Sequence, residues 1–242
     1  MLKLDKLCVS ADQGGQILKN VSLEIPDHRF VVITGPNGGG KTTLAKAIMG
    51  IMPAASGTIE WNGLDITSMS VTERAKAGVS YGFQQPPRFK GLTVRDLLCV
   101  AAGEELEKDQ CCALLTQVGL CANDYIDRDV DTSLSGGEVK RIEIATVLAK
   151  KAGLMIFDEP EAGIDLWSFQ RLTETFQAIR DRQDSTLVII SHQERIIRLA
   201  DELILLTAGE LTRRGPVAEV YPAIFGQDVA ISECSFLGGD RA

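Results

Sequence analysis

Four short runs of apolar residues with no polar interruption punctuate the chain: Phe30-Val31-Val32-Ile33, Leu154-Met155-Ile156-Phe157, Leu187-Val188-Ile189-Ile190 and Leu203-Ile204-Leu205-Leu206. Such runs predict strands buried on both faces of a parallel sheet. The first hands over to a helical pattern beginning near Leu44, and a helical stretch from Leu166 to Asp181 separates the second from the third, which predicts βαβ units. Alternation of apolar and polar residues over Leu2–Val9 and Ile17–Ile25 predicts half-buried strands instead. Asn62-Gly63 between Thr58-Ile59-Glu60-Trp61 and Leu64-Asp65-Ile66 predicts a tight hairpin, so a small antiparallel sheet should flank the main one. Ser70 with Glu73, and Thr93 with Asp96, are capping-box pairs that open helices; Gly78 ends the first, and Val79–Phe83 then reads as a strand. From about Thr93 to Ile126 the pattern is helical, with Leu106, Leu114, Leu115 and Val118 as core candidates. Ala208-Gly209 turns the last apolar run into Glu210-Leu211-Thr212.

Composition narrows the class. With 242 residues, 45% of them apolar, the chain can build a sizeable core, and it contains no repeat or long linker. A formal charge of −8 without a basic run argues against nucleic acid or an anionic membrane surface as the main partner. The six cysteines, Cys8, Cys99, Cys111, Cys112, Cys121 and Cys234, have no C-x-x-C spacing, so neither a zinc site nor a disulfide framework is indicated. They read as mostly buried thiols. The start of the chain lacks an apolar export segment and no window of about 18 apolar residues occurs, which together predict a cytoplasmic protein.

Chemistry enters at Gly35-Pro36-Asn37-Gly38-Gly39-Gly40-Lys41-Thr42-Thr43, a glycine-rich loop between a buried strand and a helix. Glycines let successive backbone N–H groups point inward, and the helix N-terminus adds partial positive charge. Lys41 can reach outer phosphates, and Thr42 can offer its hydroxyl to Mg2+. A second apolar strand ends in Asp158-Glu159, at the sheet edge on which the loop must open. Asp158 suits metal binding there, and Glu159 is free to orient or deprotonate a water. His192 follows the next strand and could touch the γ-phosphate from beside it. Ser135-Gly136-Gly137-Glu138 opens a further helix. Ser135 with Glu138 is by itself an ordinary helix cap, but two glycines in a first turn cost about 1 kcal/mol each against alanine, which points to something approaching that backbone closely, and an exposed helix N-terminus with glycines is a phosphate-binding device.

Taken in order, these residues resemble the ATP-binding cassette (ABC) ATPases over essentially the whole chain. Gly35–Thr43 matches the Walker A motif, Gln84 the Q-loop glutamine and Leu134–Glu138 the signature motif. Leu154–Glu159 matches the Walker B strand, Ala162–Asp165 the D-loop and His192 the switch histidine. The resemblance implies an α/β fold: a P-loop NTPase (RecA-like) core with a flanking antiparallel β-subdomain and an inserted helical subdomain. It implies one ABC ATPase domain over 1–242, with subregions 1–85 (β-subdomain and phosphate loop), 86–135 (helical subdomain with the signature), 136–215 (rest of the core) and 216–242 (C-terminal tail). Mg2+-dependent ATP hydrolysis is implied, with Glu159, His192, Gln84 and Lys41 as catalytic residues. Gly35–Thr43 together with Ser135, Gly136 and Gly137 would hold ATP, and Thr42, Gln84 and Asp158 would hold the metal. The implied working form is a head-to-tail dimer in which the signature helix of one copy closes over ATP held by the other.

Three positions depart from the family pattern. Residues 1–29 contain no Phe, Tyr or Trp to stack on adenine, Val9–Asp12 standing at the expected place; Glu161 replaces a small hydroxyl residue; Gly39 replaces a common serine. The stretch from Lys41 to Ser135 is too short for the long coiled coils of chromosome-type relatives. The runs Ser135–Ala145, Phe83–Pro86 and Glu161–Trp167 are most similar to SufC-type ATPases of iron-sulfur cluster assembly, which implies a soluble SufB/SufD-like scaffold as partner. The alternative is the cytosolic motor subunit of an ABC transporter, whose partners are membrane permease subunits.

Overall fold

The computed structural model describes the backbone of residues 1–11 and 14–235 and the side chains of that span up to residue 226. A four-stranded antiparallel sheet is built from β1 (Leu2–Ser10), β2 (Gln16–Ile25), β4 (Ser56–Trp61) and β5 (Leu64–Asp65), in the order β2-β1-β4-β5; β3 (Phe30–Thr34) belongs to the main sheet. That six-stranded sheet runs β10-β9-β3-β8-β7-β6, its members being β6 (Val79–Gly82), β7 (Leu154–Asp158), β8 (Thr186–Ile190), β9 (Glu202–Thr207) and β10 (Glu210–Pro216). All neighbours in it are parallel except β9 and β10, which form the edge hairpin.

The apolar runs do what their composition requires. Along β3, β7 and β8 alternate residues enter two different cores. Val31, Ile33, Leu154, Ile156, Val188 and Ile190 pack with the antiparallel sheet and helix α1 (Lys41–Met49). Phe30, Val32, Met155, Phe157, Leu187 and Ile189 face the helices of the other side. Period-two geometry splits a continuous apolar run between both faces, which is why these strands show no polar face.

Helices α2 (Val71–Lys76) and α3 (Val94–Ala102) open on the predicted Ser70/Glu73 and Thr93/Asp96 capping boxes. The Asn62-Gly63 turn has φ of 52° and 77° at its two residues, the pair of positive values that a two-residue hairpin of this kind demands. The helical stretch expected over 93–126 divides into α3, α4 (Lys108–Gln117) and α5 (Ala122–Tyr125). Leu106, Leu115 and Val118 are buried there, whereas Leu114 is only partly covered. Helices α6 (Gly136–Ala149) and α7 (Leu166–Arg182) cover the same face, and α8 (Glu194–Ile197) follows β8. Beyond β10, where the pattern predicts no element, the chain forms α9 (Val217–Ser235) with Pro222 inside it.

The expectation of mostly buried thiols fails. Cys8 and Cys111 are buried, but Cys99 and Cys112 are half-buried and Cys121 is exposed, while Cys234 lies outside the residues whose side chains are described. Small amphipathic helices such as α3 and α4, which carry Cys99 and Cys112, leave part of every turn in solvent, and apolar character alone does not say which part; Cys121 precedes α5 at its N-terminus. Among the described residues no helix is long and apolar enough to cross a membrane.

Candidate functional site

Strands β3, β8 and β7 are neighbours in the sheet, so the residues that follow their carboxyl ends meet at one edge. After β3 the chain forms the glycine loop. Gly35, Gly39 and Gly40 are buried in its walls and Pro36, Asn37 and Gly38 form its exposed crest. At Gly39 a β-carbon would stand 2.8 Å from the Leu206 carbonyl oxygen and 2.9 Å from that of Pro36. The common serine is therefore excluded here by the backbone of β9, a reason that the sequence alone does not show. Helix α1 starts from Gly40 with no side-chain cap, which leaves its first N–H groups to an anion. Thr43 lies in its first turn, half-buried.

Lys41 folds back over the loop, its Nζ donating to the carbonyl oxygens of Gly35 at 2.7 Å and Pro36 at 2.9 Å. Burial lowers its pKa, and the negative charges of Glu159 and Asp158 oppose that shift. Thr42 Oγ1 donates to Asp158 Oδ1 at 3.1 Å. Asp158 is completely buried, and its other oxygen accepts from the Tyr81 hydroxyl at 3.0 Å. Burial raises the Asp158 pKa, against the two hydrogen bonds. Tyr81 was not among the residues singled out from sequence, because on β6 it reads as an ordinary core aromatic. Only the pairing of β6 with β7 brings its hydroxyl to the carboxylate. Tyr81→Phe leaves a buried carboxylate oxygen without its donor, so it should destabilise the nucleotide-free protein by about 1–3 kcal/mol, as read from urea unfolding; unchanged stability would mean that water replaces the hydroxyl.

Glu159 sits one residue past β7 with a φ of 46°, and its N–H donates to the Ile190 carbonyl at the end of β8. Its Oε2 accepts from Gln84 Nε2 at 2.6 Å. His192 is exposed, and its Nδ1 is 3.3 Å from Thr34 Oγ1. Partial desolvation of its ring lowers its pKa, as does Lys41, while Glu159 raises it. The edge thus gathers Lys41, Thr42, Asp158, Glu159, Gln84 and His192.

Two further side chains hold the Gln84 segment. Lys140 of α6 is 2% exposed; it donates to the Phe83 carbonyl and, at 3.3 Å, to that of Gln84. Glu143, one turn on, accepts from the Phe83 N–H at 2.7 Å and lies 3.4 Å from the Lys140 ammonium. Burial lowers the pKa of Lys140 and raises that of Glu143, and each charge counters the shift of the other. Beyond Gln84, Arg88 donates to the carbonyls of Asp131 and of Leu134, the first residue of the signature segment. An apolar groove of about 210 Å³ opens beside this segment, with Phe83, Pro87, Phe89, Leu97 and Val100 among its walls.

Ser135 caps α6 in a capping box with Glu138, whose carboxyl is pulled down to about 2, first by the Tyr125 hydroxyl and then by Ser135. Ser135 and Gly136 are exposed, Gly137 half-exposed. Among the described residues no hydrogen bond joins Ser135, Gly136 or Gly137 to Gly35–Thr43. Val9, expected where an adenine would lie, is instead packed in the β-subdomain core, and Asp12 lies outside the described residues. A second space, of about 480 Å³, lies against the loop between Thr34, Pro36, Asn37, His192 and the α9 residues Ile224 and Phe225.

Comparison with known proteins gives a consistent result. The profile described as ABC transporter matches residues 18–162. The uncharacterized ABC transporter ATP-binding protein MJ0035 of Methanocaldococcus jannaschii is 39% identical over 228 residues, covering 91% of this chain and 90% of that protein. The sulfate/thiosulfate import ATP-binding protein CysA of Synechocystis is 31% identical over 215 residues, covering 84% of this chain but 58% of its own length. The energy-coupling factor transporter ATP-binding protein EcfA2 of Caldanaerobacter subterraneus is 30% identical over 212 residues, 84% of this chain and 73% of that one. Among solved structures, the dimeric post-hydrolysis state of the ATP-binding cassette MJ0796 bound to ADP and Pi superposes with a TM-score of 0.81 at 22% identity, covering 90% of this chain and 99% of that one. A bacterial Atm1-family ABC exporter with ATP bound gives 0.82 at 23% identity, covering 94% and 42%. These two likenesses establish the fold.

Proposed function

The chain belongs to the ABC transporter ATP-binding cassettes and is an ATPase of that family, and from that premise we propose that it is the motor subunit of a larger assembly, working as a head-to-tail pair. The observation that supports the reading is that Lys41, Thr42, Asp158, Glu159, Gln84 and His192 gather at one sheet edge, while the exposed Ser135 tip makes no hydrogen bond to the glycine loop among the described residues. A site divided in this way is completed by a second copy, whose Ser135–Gly137 N–H groups would face the phosphates in the first copy's loop.

Within the pair, Lys41 exchanges the Gly35 and Pro36 carbonyls for the outer phosphates of ATP. Thr42 and Asp158, already 3.1 Å apart, form an oxygen pair that fits a hard divalent cation, with Gln84 at the same edge. Mg2+ bound there supplies charge neutralisation for the phosphates. Glu159 takes a proton from the attacking water, Gln84 holds that carboxylate in place, and His192 meets the γ-phosphate from the β8 side. Hydrolysis then loosens the pair. The subregions 1–85, 86–135, 136–215 and 216–242 fit a division in which the first and third hold nucleotide and the second carries motion outward.

The names of the relatives, sulfate import and energy-coupling factor ATP-binding proteins among them, support a membrane-embedded permease as the partner, with this chain on its cytoplasmic side. The second reading, an iron-sulfur assembly ATPase on a SufB/SufD-like scaffold, is favoured by the segments Ser135–Ala145, Phe83–Pro86 and Glu161–Trp167 and by the missing adenine-stacking aromatic. The apolar groove beside Gln84 serves either partner. Mixing Ser135→Arg with Lys41→Ala protein tests the split site: each alone should be nearly inactive, and the mixture should recover about one working site per pair. Failure to recover activity, with both proteins folded, would place the whole site in one chain. Affinity purification of the full chain from detergent-solubilised membranes and from the soluble fraction decides the partner: a permease supports the first reading, and a soluble scaffold protein overturns it in favour of the second.

A further inference from the structure

Glu161 stands where the sequence pattern leads one to expect a small hydroxyl residue, and it is turned inward. Its Oε1 accepts from the Ser191 hydroxyl at 2.5 Å, and its Oε2 is buried with no hydrogen-bond partner among the described residues. A carboxyl half-satisfied in the interior carries a desolvation cost that a small or apolar residue would avoid. Burial accordingly raises its pKa, with the Ser191 hydroxyl as the main opposing influence. Neighbouring Glu159 raises it further, so the group is held there against its own electrostatics.

What the contact secures is the chain on both sides of His192. Ser191 is completely buried, and its N–H donates to the Ile33 carbonyl at 3.2 Å, fixing it to the strand that enters the phosphate loop. Its hydroxyl donates to Glu161 while accepting from the Gln193 N–H at 3.0 Å. One hydroxyl thus ties the residue after His192 to the residue before it, and Glu161 orients that hydroxyl. Among the described residues the exposed His192 ring has only the 3.3 Å approach of Thr34 Oγ1 to hold it, so its aim depends on the backbone that Ser191 and Gln193 define. Glu161 also begins the loop to Asp165 that caps α7 and lies on the surface beside the exposed Trp167.

We propose that Glu161 is a positioning residue for hydrolysis, setting the place of His192 through the Ser191 hydroxyl and linking it to the loop that follows Glu159. This rests on the role given above to His192. The geometry makes the effect one on turnover rather than on ATP capture, because among the described residues no hydrogen bond joins Glu161 to Lys41, Thr42 or the loop N–H groups.

The test is Mg2+-ATP hydrolysis by the full chain, measured as phosphate release over a range of ATP concentrations, for Glu161→Ala, Glu161→Gln, Ser191→Ala, His192→Ala and the double variant Glu161→Ala/His192→Ala. Misplacing a reacting contact by about 1 Å costs up to roughly 100-fold. Glu161→Ala is therefore expected to lower kcat by roughly 10- to 100-fold with KM within about twofold of the original, the signature of an interaction used only in the transition state. Glu161→Gln keeps an acceptor oxygen for Ser191 and should recover most of the loss. In the His192→Ala background, Glu161→Ala should add nothing. The proposal is overturned by full turnover in Glu161→Ala, by a Gln variant no better than the Ala variant, or by losses that multiply in the double variant. Should Glu161→Ala fail to fold, Ser191→Ala combined with His192→Ala gives the same reading, independent losses again overturning the proposal. Full turnover in His192→Ala would remove the histidine from the mechanism and this inference with it. Normal Glu161→Ala beside slow His192→Ala sinks the inference alone.

Discussion

Glu159→Gln is expected to bind Mg2+-ATP yet hydrolyse it about 10²- to 10⁴-fold more slowly, the range over which a positioned proton acceptor acts. The substitution changes charge and basicity with almost no change of shape. The backbone at Glu159 is fixed by its N–H to the Ile190 carbonyl and by its φ of 46°, neither of which depends on the side-chain terminus. The Gln84 amide, which donates to Glu159 Oε2 at 2.6 Å, can still donate, more weakly, to an amide oxygen. Lys41, Thr42 and the loop stay as they are, so ATP capture is retained while the acceptor for the water's proton is gone. If two copies close on ATP and hydrolysis is what opens them, the variant should accumulate as an ATP-bound pair. Phosphate release together with light scattering on a sizing column, with and without Mg2+-ATP, measures both halves. A variant that turns over normally would take Glu159 out of the chemistry, and one that is slow but stays monomeric with ATP would separate hydrolysis from the opening of a pair.

The elements that a sequence shows best are those whose reason is local. Capping at Ser70, Thr93 and Ser135 needs only an acceptor side chain and a Glu or Asp three residues on, and the Asn62-Gly63 turn needs only two residues that tolerate positive φ. The apolar runs of β3, β7 and β8 are legible because burial on both faces leaves no polar position. The three chain segments of the site were visible for the same reason, each being a strand end followed by characteristic residues. What the sequence hid depends on register between distant segments. Tyr81 reaches Asp158 only through the pairing of β6 with β7, and Gly39 is required by the Leu206 carbonyl of β9. Lys140 and Glu143 look like solvated charges on a helix, but α6 turns both inward onto the Phe83–Gln84 backbone. Glu161 was visible as an oddity, and its use was not, because Ser191 lies 30 residues away in the chain. The thiols went wrong for the complementary reason: a cysteine carries no pattern that distinguishes the inner face of α3 or α4 from the outer.

Lys41→Ala should raise the dissociation constant for Mg2+-ATP by roughly 10- to 150-fold, since a hydrogen bond to a charged group is worth about 1.5–3 kcal/mol and each 1.4 kcal/mol is tenfold. The bond to phosphate replaces bonds already made: without nucleotide the ammonium is held by the Gly35 and Pro36 carbonyls at 2.7 and 2.9 Å. ATP must therefore offer more than two neutral carbonyls do, and its charged phosphates meet that requirement. The same exchange predicts little loss of folding stability. The variant removes a buried ammonium whose pKa burial already depresses, which offsets the buried Gly35 carbonyl left without its donor, and the exposed Pro36 carbonyl can turn to water. Equilibrium binding of a fluorescent ATP analogue, paired with a thermal melt in the absence of nucleotide, separates the two effects. Weak binding with an unchanged melt is the expected pair of results. Unchanged affinity would show that the backbone N–H groups of the loop and α1 hold the triphosphate by themselves, and that Lys41 serves only to close the empty loop.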